Sequence, residues 1–114
     1  MGSDERDNAE SAVSVVLSTA GSKAEADRIA HALVERKLAA CVNMMEGVRS
    51  VYRWKDQVEQ AEEVLLVMKT TEGQLTALEE ALKALHSYEL PELIVLAVSR
   101  GSSSYLQWIR SSVR

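Results

Sequence analysis

The chain has 114 residues, 46% hydrophobic and 26% charged, a one-domain length with enough apolar content for a core and too little chain for two independent catalytic domains. Its formal charge of −4 removes any general attraction for nucleic acid or for an anionic membrane surface, and no apolar run approaches the ~18 residues of a membrane span. A single cysteine, Cys41, excludes an intrachain disulfide, so a cytoplasmic protein without nucleic-acid or membrane partners is expected.

Residues 1–11 hold Asp4, Glu5, Asp7 and Glu10 against Arg6 with no apolar run behind them. They read as a disordered leader ahead of a single domain over 12–114. Ala12 to Ser18 is short and β-branched, which predicts a buried first strand. Ser22 followed three residues later by Glu25 has the capping-box spacing, and Ala26, Ile29, Ala30, Leu33 and Val34 recur at offsets of three and four, predicting a helix over 23–37. Ala40 to Trp54, rich in valine and aromatic residues, reads as a long second strand kinked at Gly47. After a Lys55-Asp56 turn, Gln57 to Thr70 returns as a third strand that ends in the apolar run Val64-Leu65-Leu66-Val67-Met68. Thr71 and Gln74 repeat the capping spacing before a second helix with Leu75, Leu78, Leu82 and Leu85 on one face, ending near His86. Pro91 keeps helix from resuming; Leu93 to Val98 is a fourth strand, and Tyr105, Leu106, Trp108 and Ile109 mark a short terminal helix.

The order β-α-β-β-α-β plus a helix is the split β-α-β arrangement: an α+β, ferredoxin-like fold with an antiparallel four-stranded sheet, both helices on one face and a long hairpin. Two helices cover one side of the sheet, while the strands are apolar on both. A further copy of the chain is expected on the open side, with Tyr52 and Trp54 of the hairpin in the interface.

Such domains host many activities, so function is argued from sites. The first strand-to-helix loop, Thr19-Ala20-Gly21-Ser22, lacks the arginine of an acylphosphatase-like anion cradle. The first and third strands lack the sheet aromatics on which an RNA-recognition module stacks bases. A Cys-x-x-Cys metal loop is impossible with one cysteine, and no Ser-His-Asp grouping can be assembled around His31 or His86, so no enzyme is expected. Two readings stand for the pair Cys41 and His86: soft-metal ligands, or a small core side chain and a helix-end histidine. Glu63, Leu65, Val67 and Lys69 share one strand face. The two charges are either a solvated rim or, with Tyr88, Glu89, Glu92 and His86, one wall of a cleft for a metal or small anion.

With these segments placed, residues 13–110 closely resemble the CutA family of divalent-cation tolerance proteins. The resemblance is carried by Glu35-Arg36-Lys37-Leu38-Ala39-Ala40-Cys41-Val42-Asn43, Ser50-Val51-Tyr52-Arg53-Trp54, Glu63-Val64-Leu65-Leu66 with Lys69-Thr70, His86-Ser87-Tyr88-Glu89-Leu90-Pro91-Glu92 and Tyr105-Leu106-Gln107-Trp108-Ile109. It implies a ferredoxin-like subunit in a tight homotrimer, similar to the PII signalling trimers, with intersubunit clefts. It also implies a metal site drawing on Cys41 and His86, and cleft residues Glu63, Lys69, Tyr88 and Glu92. Two departures from the family pattern are Asp56 in place of a turn glycine and Ser87 in place of proline. Asp tolerates the left-handed turn, whereas loss of the proline is expected to loosen the setting of His86.

The expected function is therefore a cytoplasmic homotrimer of divalent metal tolerance that binds Cu(II) or another divalent cation at or near its clefts, with no obligatory cofactor and no catalysis. The alternatives are a PII-like signalling or scaffold trimer that binds a small effector or a protein partner, and a purely structural trimer without a ligand.

Overall fold

The computed structural model describes residues 9–113. Its elements are β1 (Val13–Ala20), α1 (Lys23–Glu35), β2 (Cys41–Trp54), β3 (Gln57–Thr71), a 3-10 turn (Glu72–Gln74), α2 (Leu75–Leu85), β4 (Ile94–Ala97) and α3 (Ser103–Ser112). The sheet order is β2-β3-β1-β4 with every neighbour antiparallel, the ferredoxin-like arrangement that the element order predicts. No helix among the described residues is long and apolar enough to cross a membrane.

Strand alternation assigns the two faces. Val16, Ala20, Val64, Leu66 and Met68 point toward the helices and pack with Ile29 and Leu33 of α1 and Leu78 and Leu82 of α2 in one core. The other face carries Leu17, Leu65, Val67, Ile94 and Leu96, and α3 covers only one end of it, where Ile109 packs on Val13 and Ala40. Ile94 and Leu96 are left about half exposed. The paired strands β2 and β3 run past the rest of the sheet as a hairpin, and the molecule measures 56 × 26 × 26 Å. The register slips between Met45 and Val48 with Gly47 at φ 77°, the bulge expected at that glycine. Lys55 and Asp56 both take positive φ, 50° and 65°, the combination of a type I′ hairpin turn, so Asp56 serves where glycine is usual.

Several boundaries differ from the sequence reading for local reasons. Helix α1 stops at Glu35 rather than Lys37 because Lys37 turns left-handed at φ 61° and the N–H groups of Leu38 and Ala39 close on the carbonyl of Leu33. Strand β1 runs on to Ala20, since Thr19 and Ala20 pair with Leu65 and Val64. The second capping box does not form: Thr71 ends β3 as a buried residue that caps nothing, and the 3-10 turn intervenes before α2. Strand β4 is limited to four residues by its four pairs with β1. Residues 1–8 of the expected leader lie outside the described residues. Residues 9–11 return to the domain, where Arg110 Nε donates to the Ser11 carbonyl at 2.8 Å.

Candidate functional site

Three segments meet at one end of the sheet: the end of β1, the loop into α1, and the loop that leaves α2. The backbone N–H of His86 ends α2 by bonding to the Leu82 carbonyl, and the chain then turns extended at φ −85°, ψ 143°, which drops the imidazole under the sheet. The His86 side chain is fully buried. Its Nε2–H donates to the Thr19 carbonyl at 2.6 Å, and its Nδ1 accepts from the Tyr88 backbone N–H at 3.1 Å. A carbonyl can only accept and an amide N–H can only donate, so these partners fix the Nε2–H tautomer and occupy both nitrogens.

The Tyr88 ring is tilted against the His86 ring, centroids 4.6 Å apart, and its hydroxyl donates to Glu63 Oε2 at 2.7 Å. Burial first, then the bond to the Glu63 carboxylate, pushes the Tyr88 phenol far above its ordinary range. Glu63 is itself buried. Gly21 makes room for this pairing: a Cβ there would stand 3.1 Å from the Tyr88 hydroxyl.

The hairpin and the loop after α2 border an open cleft of about 920 Å³ lined by Thr19, Ser50, Val51, Tyr52, Trp54, Glu59, Glu63 and the run from Ser87 to Ile94. Among the described residues that line it, four are carboxylates, Glu59, Glu63, Glu89 and Glu92, and none is Lys or Arg. On the rim, the Lys55 ammonium lies 4.0 Å from Glu89 and 5.6 Å from the centroid of the Trp54 ring. Chemically the cleft favours cationic groups and offers oxygen donors to a metal ion. Among the described residues no three His, Cys, Asp or Glu side chains are arranged to hold a metal ion.

A model of the CutA1 divalent ion tolerance protein family matches residues 14–112. The chain belongs to the CutA1 divalent ion tolerance family. It is 46% identical over 98 residues to the divalent-cation tolerance protein CutA of Thermus thermophilus, covering 86% of this chain and 95% of that one. To the chloroplastic protein CutA 1 of Oryza sativa it is 43% identical over 100 residues, covering 88% of this chain and 56% of that longer one. The solved divalent cation tolerance protein of Thermus thermophilus superposes with a TM-score of 0.88 at 44% identity, covering 90% of this chain and 99% of that one.

Within this CutA1 family member the residues singled out from sequence fall into two groups. His86, Tyr88, Glu63 and Glu92 share the cleft end, with Tyr52 and Trp54 on its hairpin wall. Cys41 and Lys69 stand opposite each other on β2 and β3, and the six steps along the strand from Glu63 to Lys69 span about 20 Å. Lys69 does not converge with His86, Tyr88 and Glu92 as the sequence suggests; its ammonium meets the Tyr105 hydroxyl at 3.5 Å and lies over that ring. Nor does the subunit bring Cys41 to His86, because Cys41 sits at the Lys69 end of β3 whereas Thr19, the partner of His86, faces Leu65. Cys41 is half-buried, with its thiol 3.7 Å from Asn43 Oδ1.

Sequence reasoning saw Glu25 only as half of a capping box. Ser22 Oγ does accept from the Glu25 N–H at 3.1 Å. The Glu25 carboxylate leaves the cap, however, and accepts from the Ser87 N–H at 2.7 Å and the Gly21 N–H at 3.4 Å. Burial works to raise this carboxyl, but the Ser87 bonds, then nearby His86 and Gly21, outweigh it and the net value lies below the ordinary one. The one signal in the sequence was Ser87 itself, since a residue other than proline at that position supplies an N–H.

Proposed function

We propose that this chain works as a cytoplasmic homotrimer of divalent-cation tolerance that binds divalent cations, Cu(II) among them, in its clefts and acts without catalysis. The observation that carries the reading is the cleft wall of Glu59, Glu63, Glu89 and Glu92, with no Lys or Arg lining it among the described residues. The apolar sheet face with Leu17, Leu65, Val67, Ile94 and Leu96 supports a trimer, because a small soluble domain covers such a face with copies of itself. Tyr52 and Trp54 on the projecting hairpin suit the same contact.

In this reading Glu63, Glu89 and Glu92 meet the cation first, and donors from a neighbouring subunit complete the set. His86 engages a metal only by giving up Thr19 or Tyr88, so its principal part is to place Tyr88 and Glu63. Cys41 becomes a ligand only by contributing to the cleft of another subunit.

A thermal-shift titration with Cu(II), Zn(II) and a metal-free blank tests this, with mass measured in each sample for the wild type, Glu63→Gln, His86→Ala and Cys41→Ser. Binding to the native state stabilises it by about 2.7 kcal/mol at one hundred times the dissociation constant. The expected result is a trimer with a saturable shift that Glu63→Gln abolishes. A monomer, or no saturable shift with either metal, overturns the reading.

The size of the cavity favours a second reading. About 920 Å³ with Tyr52, Trp54 and Tyr88 on its walls suits a small organic effector better than a bare ion, which would make the trimer a PII-like signalling or scaffold protein. A cell-extract metabolite that stabilises the metal-free chain would favour it.

A further inference from the structure

Among the described residues two carboxylates are buried, Glu63 in the cleft wall and Glu25 behind it. A helix-capping glutamate needs no burial, and a buried carboxylate without partners is costly, so the placement of Glu25 has to be accounted for by the bonds it makes. Its Oε2 accepts from Ser87 N–H at 2.7 Å, its Oε1 accepts from Gly21 N–H at 3.4 Å, and Oε2 stands 3.6 Å from His86 Nδ1 and 4.0 Å from the Arg28 guanidinium. One carboxylate thereby ties the loop entering α1 to the loop leaving α2. Tyr88 is held between those two loops: its N–H donates to His86, its ring lies against Gly21, and its hydroxyl reaches Glu63.

We propose that Glu25 is a positioning residue of the cleft: through the Ser87 N–H it fixes the His86–Tyr88 segment so that the Tyr88 hydroxyl stays on Glu63. The bond depends on residue 87 having an N–H, which proline lacks. His86, at φ −85° and ψ 143°, already has the extended backbone that a following proline demands. Position 87 can therefore be stiffened in two ways, by a proline ring or by an N–H held on a buried carboxylate, and this chain uses the second. The consequence for cation binding rests on the reading of the cleft given above; the positioning of Tyr88 does not.

The test asks what the Tyr88 hydroxyl contributes, read as the midpoint of thermal unfolding by circular dichroism at neutral pH in the metal-free chain. Tyr88→Phe is introduced into four forms: the parent, Glu25→Ala, Ser87→Pro and the double variant. In the parent, Tyr88→Phe lowers the midpoint because the buried Glu63 carboxylate loses its bond from the hydroxyl. In Glu25→Ala the same change is expected to lower it much less, since the hydroxyl has already left Glu63. In the Ser87→Pro background Glu25→Ala leaves the effect of Tyr88→Phe nearly whole, because the ring has replaced the bond. If Glu25→Ala does not fold, Glu25→Ser, too short to reach the Ser87 N–H, takes its place with the same expectation.

A Tyr88→Phe effect undiminished by Glu25→Ala overturns the proposal, and so does an equal reduction in both backgrounds. A parallel Cu(II) titration separates the two readings. A Tyr88→Phe effect lost with Glu25→Ala and no Cu(II) binding in any form upholds the positioning and removes the cation role of the cleft, while Cu(II) binding with the effect undiminished removes the positioning alone.

Discussion

At the Glu63 end of β3, a buried histidine, two buried glutamates and a partly buried tyrosine hold one another or the backbone through bonds of 2.6 to 3.4 Å. At the Lys69 end, the lysine meets Tyr105, Tyr105 meets Trp108 and the Cys41 thiol meets Asn43, all through contacts of 3.5 Å or more and within reach of solvent. The residue types would suit a functional site equally well. What separates them is closure: the cleft end lies where two loops fold over the sheet, so each polar group must find a partner, while the other end has only α3 beside it. Burial turns the first cluster into a fixed arrangement, and exposure leaves the second adjustable.

The largest expected contrast is between His86→Ala and Cys41→Ser. Removing His86 leaves the Thr19 carbonyl and the Tyr88 N–H without partners and opens a cavity, for an expected loss of about 3 kcal/mol in urea unfolding. Cys41→Ser should change stability by less than about 0.5 kcal/mol; equal losses from the two would erase the distinction between the ends. Next comes Tyr88→Phe, which strands the buried Glu63 carboxylate and should cost about 1 to 2 kcal/mol by the same assay.

Glu25→Gln sharpens the comparison through pH. The fold lowers the carboxyl of Glu25 below 4.5, so its ionised form is favoured by folding. Its contribution is complete above pH 4.5 and is lost as pH falls through the folded-state value. The substitution should cost roughly 1 kcal/mol at neutral pH, and the difference from wild type should close as melts are repeated at pH values descending from 4.5. A gap that persists in acid would show that the charge of Glu25 is not what matters. The smallest effect is expected for Lys69→Met, less than about 0.5 kcal/mol, because the bond its ammonium makes is to an exposed phenol.

Much of the fold was legible before any coordinates. Strand and helix periodicity placed every main element, Gly47 and Lys55-Asp56 marked the bulge and the turn, and the motifs around Cys41 and His86 pointed to the family that the comparisons establish. The failures share a cause: Thr71 has the spacing of a cap, yet its side chain is drawn into the end of β3, and Glu25 has the spacing of a capping box, yet its carboxylate is claimed by Ser87 from the other side of the molecule. Local spacing cannot register a partner 62 residues away.

The sequence by itself determined the order of elements, the two-faced apolar sheet and the inventory of groups able to meet a cation, because alternation, helical offsets and residue chemistry are local properties of the chain. Only the tertiary structure decided that Glu63 and Lys69, on one strand face, belong to different neighbourhoods. It likewise committed both nitrogens of His86 to the backbone and made Glu25 the link between two loops. Those outcomes depend on which segments close over which end of the sheet, where each polar group losing water must be matched by one brought from elsewhere in the chain.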